Sequence, residues 1–117
     1  MTGPAHNGAL IYSHRISELS RFYVQLFGMR VIKETTDLIS LDRDGFNIVI
    51  HVPPFEMPEN QFSAIKLFLS VPNIERAKEQ AINLGGSALE GEWANPIFKV
   101  ANIVDTDGNH IQIREFF

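Results

Sequence analysis

Apolar residues recur at helical spacing in two parts of the chain. Steps of three, four and three residues place four apolar side chains on one helical face, and the same steps return 58 residues later. The positions are Ile16, Leu19, Tyr23 and Leu26, then Ile74, Ala77, Ala81 and Leu84. We predict an amphipathic helix in each part, buried along this face and ended by glycine. Asn73 is the expected N-cap of the second helix. Arg15, before the first helix, is a poor cap, and Ser13 and Ser17 are the alternatives there.

Short runs of alternating apolar and polar residues around these helices predict β-strands. The expected strands are residues 9–13, 30–34, 38–41 and 46–52 in the first half, and 64–71, 87–90, 97–104 and 110–115 in the second. Residues 53–62 are rich in proline, which is excluded from central strands, and are therefore predicted to be a linker.

The chain repeats one unit of about half its length. The pattern D-x-D-G-x-x-I-x-I begins at Asp42 and again at Asp105, and we expect a tight turn at each copy, with its glycine at positive φ. The element order is therefore βαβββ–βαβββ, of the α+β class. We expect one domain over residues 1–117, with repeat one at about 8–54 and repeat two at about 63–117.

The two faces of the predicted strands differ in chemistry, because alternate residues point to opposite sides. One face is apolar and is expected to lie under the helices: Ile48, Ile50, Val52, Ile65, Leu67, Leu69, Ile111 and Ile113. The other is polar, partly cationic and partly aromatic: Asn47, Val49, His51, Lys66, Phe68, Ser70, His110, Gln112 and Arg114. Since twisted sheets tend to wrap around one face, we expect the second face to line a cleft.

Composition narrows the functional classes. The chain is 44% hydrophobic and 21% charged, as is ordinary for globular proteins. Its net charge of −4, without a basic stripe, argues against a nucleic-acid partner. It has no cysteine, no apolar run that approaches the roughly 18 residues of a membrane span, and no secretory signal pattern at its start. We therefore expect a cytoplasmic protein without a membrane partner.

With these residues in hand, the chain resembles the vicinal oxygen chelate superfamily, which includes glyoxalase I, extradiol dioxygenases and bleomycin-resistance proteins. The resemblance spans residues 8–117. It rests on residues 21–29, RFYVQLFGM, close to the F-Y-x-x-x-L-G element of that superfamily, and on the turn DTDGN at 105–109. It implies tandem βαβββ repeats that form a curved mixed sheet around a cleft, with the helices on the outside, and commonly a homodimer.

Metal-dependent members of that superfamily carry His or Glu at four inward positions. Transferred to this chain, these positions are Gly8, Val49, Lys66 and Gln112. Glycine and valine offer no ligand atom, and lysine is cationic near neutral pH. The resemblance thus implies no metal or cofactor at the usual place, and a metal-free small-molecule binder like the bleomycin-resistance proteins. The alternative is a lyase, isomerase or dioxygenase with a displaced metal site around His51 and Gln112. A third interpretation is an interaction module whose cleft has collapsed.

No catalytic residue is identified, but nine residues are candidates for ligand contact: Tyr12, Val49, His51, Lys66, Phe68, Trp93, Phe98, Gln112 and Arg114. Lys66 and Arg114 favour an anionic ligand, such as a carboxylate or phosphate. The alternatives for Lys66 are an internal ion pair with an acidic residue such as Glu90 or Glu92, or a side chain that extends to the rim of the cleft. Trp93, in a turn-rich segment, either stacks on a ligand or packs elsewhere.

Overall fold

The structure is a computed structural model that describes residues 5–53 and 63–117. The chain forms two compact units, Met1–Ile65 and Lys66–Phe117, called unit one and unit two below. Apart from Pro53, the predicted linker lies outside the described residues. Across the described ranges, no helix has the length and apolar character needed to cross a membrane.

Unit one has the order βαβββ. Its elements are β1 (Gly8–Tyr12), α1 (Ile16–Phe27), β2 (Arg30–Glu34), β3 (Leu38–Arg43) and β4 (Phe46–His51). The strands are ordered β2-β3-β4-β1. The β1–β4 pair is parallel, and the other pairs are antiparallel. Helix α1 packs on β3 and β4.

Unit two repeats this order with one additional short strand. Its elements are β5 (Ile65–Ser70), α2 (Ile74–Asn83), β6 (Ser87–Ala88), β7 (Trp93–Ala94), β8 (Phe98–Val104) and β9 (His110–Phe116). The strands are ordered β5-β9-β8-β6, and β7 also pairs with β8. Strand β5 runs parallel to β9, and helix α2 packs mainly on β6, β8 and β9. The predicted α+β class with tandem βαβββ units and mixed strand pairing is confirmed.

Each unit has its own apolar core between helix and sheet. In unit one the core consists of Met29, Ile39, Leu41, Ile48 and Ile50, against which Ile16, Leu19, Tyr23 and Val24 of α1 pack. In unit two it consists of Ile74, Ala101 and Ile113, with Ala77 of α2 packed against it. Burial of each large apolar side chain contributes about 1.5–3 kcal/mol to folding.

In both helices, the prediction is wrong for the last residue of the buried face. Leu26 is 61% exposed and Leu84 is 77% exposed. In α1 the buried side follows positions 16, 19, 20, 23 and 24, which is the five-residue stripe of a regular helix, and Leu26 lies beside it. Leu84 follows the last residue of α2 as its C-cap and is no longer helical.

The prediction that the apolar residues of β5 lie under a helix is also wrong. Ile65, Leu67 and Leu69 are 63%, 51% and 40% exposed, while Lys66 and Phe68 on the opposite face are buried. The reason is the position of α2, which packs mainly on β6, β8 and β9.

The two D-x-D-G copies form different turns. Asp44 and Gly45, with φ of 52° and 90°, make a two-residue hairpin turn between β3 and β4. Gly108 also has a positive φ of 90°, but here residues 105–109 all lie outside the strands. The Asp105 carboxylate accepts hydrogen bonds from the Asn109 backbone and side chain, which lower the pKa of Asp105. The second copy is therefore a longer, carboxylate-bridged loop.

Candidate ligand-binding site

Polar and aromatic side chains share one face of the unit-two sheet. Gln112 on β9 pairs with Phe68 on β5 and with Asn102 on β8. Arg114 pairs in the same way with Val100 on β8. Directly paired residues project to the same side of a sheet, so these side chains lie together on the side opposite the α2 core.

Lys66 is a buried cation on this face. It is 3% exposed, and its Nζ donates a hydrogen bond to Asn102 Oδ1 at 3.0 Å. Burial lowers the pKa of Lys66 from 10.5 to about 8, because removal from water penalises the ammonium form. Lys66 is thus still mostly charged at neutral pH, and an amide oxygen holds it in place.

Arg114 is the second buried cation. Its Nε donates to Gln112 Oε1 at 2.9 Å. Its guanidinium carbon lies 3.9 Å from the ring centroid of Phe68 and 4.8 Å from that of Phe98. Contact with two aromatic faces stabilises the cation and fixes its plane.

The alternative of an ion pair between Lys66 and Glu90 or Glu92 is not favoured. Glu92 lies 3.6 Å from Lys99 Nζ, which is also 3.9 Å from Glu115. Glu90 is exposed. Successive residues of a strand point to opposite faces, so Lys99 points away from the polar face. Its ion pairs with Glu92 and Glu115 therefore lie on the opposite side of β8.

Trp93 lies on a strand and not in the predicted loop. In β7 it pairs with Val100, whose partner on the other side is Arg114. Its indole therefore projects to the same face as the guanidinium, and it is 51% exposed. The ring packs over Gly91, where an added Cβ would lie 2.6 Å from the indole.

In unit one, Tyr12, Val49 and His51 lie on one face of the sheet. Tyr12 pairs with His51, and their ring centroids are 6.3 Å apart in an edge arrangement. His51 Nδ1 donates to the Val52 carbonyl at 2.7 Å, since a carbonyl can only accept. Val49 is buried beside Leu10.

Solved structures share this arrangement of elements. A Legionella pneumophila protein described as an NAD-dependent benzaldehyde dehydrogenase superposes with a TM-score of 0.74 at 16% identity, over 95% of this chain and 99% of that one. A glyoxalase/bleomycin resistance protein/dioxygenase superfamily member from Vibrio splendidus 12B01 gives 0.65 at 18% identity, over 96% and 98%. Methylmalonyl-CoA epimerase from Mycobacterium tuberculosis gives 0.65 at 16%, over 99% and 89%. No protein-family model and no curated protein matches the chain.

The chain has the vicinal oxygen chelate fold. The resemblance read from the sequence is therefore confirmed at the level of fold. At these identities the likeness carries no activity to this chain, because one fold supports many chemistries.

The metal positions of the vicinal oxygen chelate fold are occupied here by residues that do not fit a metal. Gly8 and Val49 lie in unit one, and Lys66 and Gln112 in unit two. A hydrogen atom, an isopropyl group, an ammonium and a single amide do not make a divalent site. Within residues 5–53 and 63–117, no three His, Asp or Glu side chains are grouped closely enough to hold a metal.

Four of the nine predicted ligand residues are in contact or directly paired in unit two: Phe68, Phe98, Gln112 and Arg114. Lys66 is joined to them through Asn102, which pairs with Gln112, and Trp93 shares their face. Sequence reasoning missed Asn102, the acceptor for Lys66. The available signal was a lone amide inside the apolar run at 100–104. His110 is half-buried, and its buried Nδ1 has no hydrogen-bond partner in the described part of the chain.

Proposed function

We propose that this protein binds a small acidic molecule on the polar face of unit two, without a metal. The observation that carries the proposal is the pair of buried cations, Lys66 and Arg114, on one sheet face. Asn102 and Gln112 accept hydrogen bonds from the two cations and orient them. Cations held in this way are suited to a carboxylate or phosphate.

The donor set at the fold's four metal positions supports the metal-free part of the proposal. The displaced site expected around His51 and Gln112 is not favoured. His51 has one ring nitrogen left beyond its bond to the Val52 carbonyl, but among the described residues it belongs to no group of three His, Asp or Glu side chains that could hold a metal. Elemental mass spectrometry on tag-free protein, before and after dialysis with divalent metals, is expected to find no stoichiometric metal. About one metal per chain would overturn this part.

A comparison of how tightly small carboxylic acids and their matched amides bind tests the electrostatic part of the proposal. Small carboxylic acids are expected to raise the melting temperature, since a ligand at 100 times its dissociation constant adds about 2.7 kcal/mol. Their neutral amides are expected to have little effect. Lys66→Met should weaken acid binding at least tenfold, whereas Lys33→Met, which removes an exposed lysine from β2, should leave it unchanged. Equal binding of acids and amides, or equal loss in both variants, would contradict the proposal.

Two further expectations stay predictions: a homodimer and a cytoplasmic location. The exposed row of Ile65, Leu67 and Leu69 on β5 supports association, because adjacent exposed apolar side chains often mark interaction surfaces. Light scattering coupled to size-exclusion chromatography measures the mass directly, and a monomer at every concentration would exclude the dimer.

A further inference from the structure

Trp93 reaches the polar face of unit two from a short and exposed segment. Its strand β7 has two residues, both exposed, which pair with Val100 and Lys99 of β8. Before β7 the chain turns at Gly91, whose φ is 107°, and the indole lies over this glycine. A short two-stranded pairing is only marginally stable by itself. The contacts next to β7 therefore decide how firmly the indole is held.

An ion-pair bridge centred on Lys99 joins this segment to the rest of unit two. Lys99 Nζ lies 3.6 Å from Glu92 Oε2 and 3.9 Å from Glu115 Oε1. Glu92 directly precedes Trp93, whereas Glu115 lies opposite Lys99 on β9. We call these three side chains, Glu92, Lys99 and Glu115, the Lys99 bridge. Because Lys99 contacts both acids, it links the residue next to the indole to a long strand of the sheet.

Glu115 extends the Lys99 bridge to helix α2. The backbone N–H of Ile74, the first residue of α2, donates to Glu115 Oε1 at 2.8 Å. Ile74 belongs to the core of unit two, and the helix dipole favours a carboxylate at a helix N-terminus. Glu115 is therefore held in place by the helix, and it gives Lys99 a defined position from which to contact Glu92.

The Lys99 bridge is partly open to water. The side chains of Glu92, Lys99 and Glu115 are 38%, 29% and 21% exposed. Ion pairs of this kind contribute modestly and are screened by salt. We infer that Lys99 is a positioning residue for Trp93, and that the Lys99 bridge makes the placement of the indole sensitive to ionic strength. This inference goes beyond the proposed function, since it concerns Trp93 and no ligand.

Fluorescence measures the placement of the indole directly, because Trp93 is the chain's only tryptophan. Lys99→Met removes the charge and keeps the length of the side chain. We expect the emission of Trp93 to move to longer wavelength and its quenching by acrylamide to increase, because the indole gains contact with water. Glu92→Gln should have the same effect. The wild type in about 1 M sodium chloride should approach the Lys99→Met spectrum, since the charges are then screened.

Two control variants and a second readout accompany these measurements. Lys99→Arg keeps a cation at the bridge and should retain the wild-type spectrum, as should Lys33→Met at an exposed position of β2. The backbone N–H of Asn95 donates to the Phe98 carbonyl at 3.0 Å in the same hairpin. Its hydrogen exchange should quicken about two- to fivefold in Lys99→Met, which is the effect of losing a partly exposed ion pair.

The double variant Lys99→Met with Glu92→Gln tests whether the two side chains act together. If they do, it shifts the emission no further than either single change. Additive shifts, or a wild-type spectrum that does not respond to salt, would overturn the inference. An emission change confined to the urea unfolding transition would assign Lys99 to overall stability and would overturn its positioning role. Because no ligand is present, none of these outcomes bears on acid binding.

Discussion

Replacing Lys66 with methionine should change how the stability of the protein depends on pH. The pKa of this side chain is lowered from 10.5 to about 8. At about 1.4 kcal/mol per pKa unit, that difference corresponds to roughly 3 kcal/mol by which the folded state disfavours the ammonium. Below pH 8 the full penalty acts on the wild type. Methionine keeps the length and apolar character of the side chain and removes the charge.

The sign of the effect follows from proton binding. A base whose pKa is lower in the folded state binds fewer protons there than in the unfolded chain. The free energy of unfolding therefore rises with pH between about 8 and 10.5. Between pH 7 and 9.5 the expected rise from Lys66 alone is about 2 kcal/mol. The Lys66→Met variant should lack it. At pH 7 the variant also loses the hydrogen bond to Asn102, which costs about 1–3 kcal/mol and offsets the relief of the burial penalty.

Urea unfolding at several pH values between 7 and 9.5 measures this difference. Subtracting the Lys66→Met curve from the wild-type curve removes the contributions of all other titrating groups. Lys33→Met, at an exposed position on β2, controls for the loss of one lysine and should track the wild type. If wild type and Lys66→Met run parallel across this range, Lys66 is not held as a penalised ammonium, and the electrostatic reasoning for the binding face fails with it.

Two other changes in stability follow from local geometry and are checked by urea unfolding. Gly108→Ala should cost about 1 kcal/mol, because its φ of 90° is unfavourable for a residue with a Cβ, while nothing in the described structure lies within 4 Å of that Cβ. Gly86→Ala should cost more, about 3 kcal/mol, because its Cβ would overlap the Val104 carbonyl oxygen. A cost for Gly86→Ala no greater than that of Gly108→Ala would contradict the overlap argument. Asn73→Ala should cost about 1 kcal/mol, since its Oδ1 accepts the backbone N–H three residues on. Arg15→Ala should stay within about 0.5 kcal/mol, since among the described residues its side chain caps no backbone group, and a cost equal to that of Asn73→Ala would contradict the capping argument.

Local periodicity predicted most of the fold. Steps of three and four residues located α1 and α2, and alternation located the long strands to within one or two residues. Alternation also divided β5 into two faces, but it carries no information about which face a distant helix will cover. For that reason the sequence placed Ile65 and Leu67 in the core, whereas Lys66 and Phe68 are buried instead.

The arrangement of the candidate residues was predicted only in part, because alternation is informative within a strand but not between strands. Lys66, Gln112 and Arg114 fall on one face because alternation holds within β5 and β9. Asn102 was missed because β8 was not divided in the same way. Trp93 was assigned to a loop because a strand of two residues, β7, has no periodicity to detect. Trp93 and Arg114 share a face because β7 and β9 both pair with β8. Local sequence periodicity does not reveal which strands pair.

The duplication supports the proposal that the buried charges of unit two serve binding, because unit one forms the same fold without them. Equivalent strand pairs occur in both units: Leu10 with Val49 corresponds to Phe68 with Gln112, and Tyr12 with His51 corresponds to Ser70 with Arg114.

At the position of Lys66, unit one has Gly8, and at the position of Gln112 it has buried Val49. The same βαβββ unit therefore forms with glycine and valine at these sites, so the fold does not require a cation there. Burial of Lys66 nevertheless disfavours its ammonium by roughly 3 kcal/mol. The fold does not require this penalty. Functional sites often lower the stability of a protein in this way, because recognition needs groups that are unfavourable for folding.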